Sequence, residues 1–171
     1  MKNLFLLMLI VVFANCNTSN TVTPGKYVVK NVSVIPMDSD KVLPQQDVFI
    51  ANGVITYVGN TGSQDAGKDA LVIDGTGKFL IPGFAEMHAH VPGTDDTAVA
   101  KKVLELYVLN GVTTIRGMLG HPQHLILRDE IKRGSFIGPR FYAGAPGLSG
   151  GTVKSVKEAD SLVRKYKKDG Y

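Results

Sequence analysis

Two of the four histidines in this 171-residue chain lie one residue apart, in the stretch LIPGFAEMHAHV at residues 80–91. On an extended strand, side chains two positions apart share a face. With a rise of about 3.3 Å per residue, the Cβ atoms of His88 and His90 lie roughly 6.5–7 Å apart. Ring nitrogens bind zinc at roughly 2.0–2.1 Å, so two imidazoles at that spacing can converge on one ion. Such a pair is half of a site, because a catalytic zinc takes at least three protein ligands and keeps one position open. Two histidines in a solvated or hydrogen-bonded turn are the alternative, since an H-x-H match is a weak signal without its context.

The elements that must position the pair follow from hydrophobic period and turn residues. KYVVKNVSVIP alternates with a period of two and reads as a strand. DVFIANGVITYVG is two β-rich runs joined by Asn52-Gly53, a pair that tolerates positive φ at both turn positions and marks a hairpin. ALVIDGTGKFLIPGF adds a strand, a glycine turn at Gly75 to Gly77, and a further apolar run that leads to the histidines. Residues 26–80 are thus expected to form a layer of antiparallel strands. The rhythm then changes. DTAVAKKVLELYVLNG, PQHLILRDEIKRG and SVKEADSLVRKYKKDG read as helices, each closed by a glycine, and Ser155 with Glu158 has capping-box spacing. VTTIR and PRFYAG supply short strands between them. Strand and helix in alternation predict parallel βα units, and hence an α/β fold in which functional groups gather at the carboxyl ends of the strands.

The first residues read as a targeting segment. Lys2 precedes an unbroken apolar run from Leu4 to Ala14, too short to span a bilayer and suited to a secretory signal. The only cysteine, Cys16, follows at once and cannot form an intrachain disulfide. The layout resembles a bacterial lipoprotein signal, with residues 1–16 as signal and candidate lipobox, and residues 17–25 as a polar tether. Asn15 departs from the small residue usual before the lipidated cysteine. A plain secretory peptide that leaves a free thiol is the alternative. The resemblance implies an exported protein held by a lipid anchor at a periplasmic or outer-membrane surface. The formal charge is +4, and the basic residues near the carboxyl end have only Tyr166 among them as an aromatic, which fits a solvated helix face and argues against nucleic acid.

The segment IDGTGKFLIPGFAEMHAHV closely resembles the junction in the amidohydrolase superfamily between an amino-terminal β-sandwich and the first strand of a metal-binding (β/α)8 barrel. The matching features are the Asp74-Gly75 turn, the Pro82-Gly83 pair, the acidic Glu86, and His88 with His90. NGVTTIRGM and LRDEIKRGSFIGPRFYAGAP are similar to the imidazolonepropionase-like and prolidase-like branch. The resemblance implies a sandwich portion over residues 26–80 and the first three βα units of an incomplete barrel over residues 81–171. It implies that His88 and His90 hold a divalent metal, zinc in the first instance, within a centre of one or two ions. The reaction implied is hydrolysis of a small amide or other C–N bond by a metal-activated water, with a proton-shuttling aspartate from the last strand.

A full barrel takes about 250 residues, whereas 91 follow Leu80. The chain is therefore read as the amino-terminal portion of a longer enzyme, inactive by itself. A non-catalytic lipoprotein that kept this part of the fold as a binding or structural module is the rival reading. Assembly into a homo-oligomer stays open. Glu86 is either a partner to the histidines on their own face or one half of a salt bridge lower in the barrel. His121 either touches substrate at the barrel mouth or is a loop histidine at a helix start, and His124 is expected on that helix's surface. Arg116 either orients a substrate carboxylate, bidentately, or pairs with an acid. Ser149, in the glycine-rich GAPGLSGG, has no base nearby to make it a nucleophile.

Overall fold

The computed structural model describes residues 25–171. The expected signal segment, Cys16 and nearly all of the expected tether lie outside the described residues. Among the described residues the fold is α/β, with two sheets and three helices. The first sheet contains β1 (Lys26–Val34), β2 (Leu43–Ala51), β3 (Val54–Asn60), β4 (Ala70–Asp74) and the two-residue β5 (Phe79–Leu80), in the order β3-β2-β1-β4 with β5 also on β1. The second contains β6 (Phe84–His90), β7 (Val112–Met118) and β8 (Arg140–Ala143), all parallel and in that order. Helix α1 (Thr97–Leu109) connects β6 to β7, α2 (Pro122–Lys132) connects β7 to β8, and α3 (Val156–Asp169) follows β8.

The hairpin between β2 and β3 turns at Asn52-Gly53, with φ of 52° and 76°, as the sequence expects. The purely antiparallel layer is corrected: β4 and β5 both run parallel to β1. Alternation reveals a strand but not its direction, and here the β2–β3 hairpin acts as part of a crossover that returns the chain to the other side of β1. The apolar run before the histidines is also two strands rather than one. Pro82-Gly83 separates β5, in the first sheet, from β6, in the second.

Asp47 ties down the irregular parts of the first sheet. It is fully buried. One carboxylate oxygen accepts from the Asn31 amide at 2.9 Å and the Thr61 hydroxyl at 2.9 Å, and the other from the Gly62 amide at 3.0 Å. Asn31 has a φ of 53° where the β1–β2 register shifts, so its amide needs a partner beyond the ladder. Burial alone pushes the Asp47 carboxyl up, but the Gly62 and Asn31 amides, the Thr61 hydroxyl and the charge of Lys30 together hold it below the usual carboxylate value.

In the second sheet, one face is covered. Ala89, Ile115 and Phe141 point to that side and pack with Val91, Ala100, Leu104 and Leu127 as the core. Each helix begins where its sequence says. Asp96 caps α1 by accepting from the Ala98 amide at 2.9 Å, and Ser155 caps α3 by accepting from the Glu158 amide at 3.2 Å. The expected reciprocal bond of the second cap is displaced by one residue, since Glu158 accepts from the Lys154 amide at 2.8 Å. Gly170, with φ of 99°, closes α3 in the left-handed conformation.

Asp47→Ala is expected to cost on the order of 1–3 kcal/mol, because it leaves buried donors unpaired. The native carboxyl has the lower pKa, so its stabilisation is present above the unfolded value, about 3.9, and is lost as pH falls through the folded one. Urea unfolding of wild type and Asp47→Ala from pH 7 to pH 3 checks this: the difference between the two should shrink at the acid end.

Candidate metal centre at the end of strand β6

Ala89 is 1% exposed and belongs to the core, which fixes the direction of its neighbours. His88 and His90 flank it and are both exposed on the opposite face. Their ring centroids lie 5.3 Å apart with the planes tilted at 55°. Two imidazoles that share an ion at about 2.0–2.1 Å from one nitrogen of each have centroids roughly 5–6 Å apart, so the pair fits the first half of a metal site. Among the described residues, no group of three or more His, Cys, Asp or Glu side chains comes together to complete it.

The strand carrying the pair is irregular. Glu86 is in register with Ile115 and Ala89 with Gly117, so β6 passes three residues where β7 passes two. A bulge of this kind re-aims side chains. Strict alternation, which put Glu86 on the histidines' face, therefore does not carry through residues 86–89. Glu86 makes no salt bridge among the described residues; its Oε1 accepts from the His88 amide at 2.8 Å. Arg116 is exposed on β7 between buried Ile115 and Gly117, and its Nε donates to the Met87 carbonyl at 2.9 Å. Both side chains are thus engaged with strand backbone, and the acid expected as an alternative partner of Arg116 is absent among the described residues.

The remaining two histidines form the start of α2. His121 is the N-cap, with its Nδ1 accepting from the Gln123 amide at 3.4 Å, and Pro122 follows at the first helical position. His124 closes a reciprocal box by accepting from the His121 amide on its own Nδ1 at 3.2 Å. The expected surface position of His124 is corrected: it is 1% exposed and packs on Phe141 with centroids 5.7 Å apart. The reason is that the apolar stripe of α2, through Leu127, turns His124 toward the sheet. Because Nδ1 accepts, the proton sits on Nε2, which donates to the Pro92 carbonyl at 3.1 Å. Pro92 belongs to the loop that leaves His90. Burial is the main force holding the His124 imidazole below the usual histidine value; the Pro92 carbonyl opposes it and His121 adds to it. The spacing H-P-x-H matches a capping box with imidazoles in place of hydroxyl and carboxylate, a signal present in the sequence.

The loops beyond β7 and β8 continue the approach of their strands. Gly144 donates to the Gly117 carbonyl at 2.8 Å and Gly120 to the Ala145 carbonyl at 3.0 Å. A Cβ on Gly120 would collide with the Gly144 carbonyl oxygen, so the close passage requires glycine there.

The chain is similar to an adenine deaminase of Rubrobacter xylanophilus, 29% identical over 105 residues, which cover 57% of this chain and 17% of the relative. It is similar to adenine deaminase 3 of Rhizobium meliloti, 27% identical over 155 residues, or 82% of this chain and 25% of the relative. A prolidase-like protein of Bifidobacterium longum of known structure superposes with a TM-score of 0.77 at 26% identity, over 85% of this chain and 39% of that one.

The chain is similar to proteins of the amidohydrolase superfamily.

No protein-family model matches it. The chain spans a quarter or less of the length of the two adenine deaminases. The amidohydrolase relationship gives the α/β architecture its context, and the names of these relatives denote hydrolysis of C–N bonds.

His124 is buried neutral with a depressed pKa, so the unfolded chain takes up its proton first as pH falls. Its contribution to stability is fully present above the unfolded value, about 6.5, and is lost below it. Unfolding free energies at pH 7.5 and 5.5 should therefore converge more closely in His124→Gln than in wild type. Equal pH slopes in the two proteins would remove this assignment.

Proposed function

We propose that the protein is a metal-dependent hydrolase of carbon–nitrogen bonds, acting on a small amide, a cyclic amide or a dipeptide. The single observation that carries the reading is the side-by-side presentation of His88 and His90 at the carboxyl end of β6, on the face away from the core. In the proposed architecture, the parallel β6-β7-β8 sheet with its covering helices is the start of a (β/α)8 barrel, and the first sheet is part of a β-sandwich. The open sheet face is then the barrel interior.

His88 and His90 would hold a divalent ion, zinc in the first instance, which would supply Lewis acidity toward the scissile carbonyl and lower the pKa of a water. The chain's own residues do the positioning. His88 and His90 provide ring nitrogens; Ala89, packed in the core, holds the strand between them. His124 holds the Pro92 carbonyl of the following loop. Polar groups of substrate are assigned to the guanidinium of Arg116 and to the ring nitrogen of His121 that does not serve the cap. Two imidazoles are too few for catalysis, so the further ligands and the proton-shuttling acid are assigned to residues outside the described ones. We also infer export and lipid anchoring through Cys16, on the strength of the apolar run before it and the polar tether after it.

Metal analysis of the protein as expressed tests the centre. The His88→Ala, His90→Ala double variant should lose the tightly bound metal, while its far-ultraviolet circular dichroism stays that of wild type. Stoichiometric zinc retained by the double variant would exclude these residues and favour a non-catalytic module. For the anchor, Cys16→Ala in the native bacterial host should shift the protein from the detergent phase to the aqueous phase in a partition experiment.

A further inference from the structure

The bulge in β6 leaves one peptide bond, Met87–His88, without a register partner: the pairing with β7 steps from Glu86–Ile115 directly to Ala89–Gly117. Both ends of that one peptide are taken by side chains. Its carbonyl oxygen, on Met87, accepts from Arg116 Nε at 2.9 Å. Its N–H, on His88, donates to Glu86 Oε1 at 2.8 Å. The two side chains have opposite charge and arrive from different strands. Each supplies what its end of the peptide lacks: a cationic donor for the carbonyl, an anionic acceptor for the amide. Such bonds are stronger than neutral ones.

We propose that Glu86 and Arg116 are positioning residues that grip the Met87–His88 peptide from its two ends and so set the direction in which His88 presents its ring. This rests on the reading of His88 and His90 as a metal pair. A peptide plane has a single rotational freedom between fixed Cα atoms. Fixing its two ends from outside the ladder stops that rotation, and the rotation is what would swing the Cα–Cβ bond of His88 away from the direction of His90. Ala89 needs no such device, since the core holds it, and His90 regains the ladder opposite Met118. The grip thus falls where the bulge is and where burial gives no help: Met87 and His88 are exposed. It also accounts for the acidic residue two positions before the histidine and for the arginine of the next strand as parts of one structure, joined through a peptide that neither belongs to.

The test compares full-length wild type with Glu86→Ala, Arg116→Ala, their double variant and Glu86→Gln, which keeps an acceptor oxygen. The first readout is zinc affinity. Each alanine variant should bind about 10- to 100-fold more weakly, the range for losing a group that orients a ligand. The double variant should fall within about threefold of the weaker single variant, because both changes release the same peptide. Glu86→Gln should recover most of the loss. The second readout is amide hydrogen exchange at His88, which needs no metal. Protection there should drop at least tenfold in the alanine variants, with the β7 and β8 amides unchanged. Wild-type zinc affinity in both single variants, or unchanged His88 protection, would overturn the proposal. A general loss of protection through β7 and β8, shared by Glu86→Gln, would also overturn it, since the residues would then support the sheet rather than one peptide. Wild type that binds zinc no better than the His88→Ala, His90→Ala variant sinks the metal reading alone, and the exchange data then decide the grip.

Discussion

One face of the β6-β7-β8 sheet must be dry, and everything at the histidine pair depends on that. Ala89 lies in a core with Ile115, Phe141, Leu104 and Leu127, all at most 4% exposed. Burying these apolar side chains stabilises the sheet by the ordinary hydrophobic amount, about 1.5–3 kcal/mol for each large one. That energy dictates which way Ala89 points, and alternation then turns His90, back on the ladder, to the other face. His88 lies in the bulge, and its ring stands beside that of His90, with centroids 5.3 Å apart.

Where the backbone leaves its regular path, polar side chains take over. Asp47 does this in the first sheet for the left-handed Asn31 and the Thr61-Gly62 turn. His121 and His124 do it for the first amides of α2. In β6 the same role falls to an acid and a base around a single peptide. These places differ in burial, but the rule is shared: a donor or acceptor that loses its ladder partner is given another rather than left bare. The loops that leave β6 and β7 therefore start from hydrogen-bonded backbone.

Much of this was legible in the residues. Asn52-Gly53 named its hairpin, and the glycines after each apolar stripe named the helix ends. The His-x-His pattern after Pro-Gly placed the pair on a strand, and the alternation put both rings on one face. What escaped has physical causes. Strand direction in the first sheet is set by a crossover, which no local period encodes. The β6 bulge is a relation between two strands, so the sequence of one cannot reveal it, and with it went the roles of Glu86 and Arg116. His124 was misplaced because histidine is polar enough to read as surface. Its burial is decided by the stripe it shares with Leu127 and by the partner waiting at Pro92.

The reciprocal cap at α2 has a consequence for what its two imidazoles can still bind. Both nitrogens of His124 are occupied, one receiving a proton-bearing amide and the other giving its own hydrogen to a carbonyl. His121 has one of its two nitrogens engaged in the same way. Although these rings stand only 6.0 Å apart, they offer an arriving cation no second pair of free lone pairs. Of the four imidazoles, His88 and His90 are thus the two that stand side by side outside the hydrogen-bonding that begins a helix.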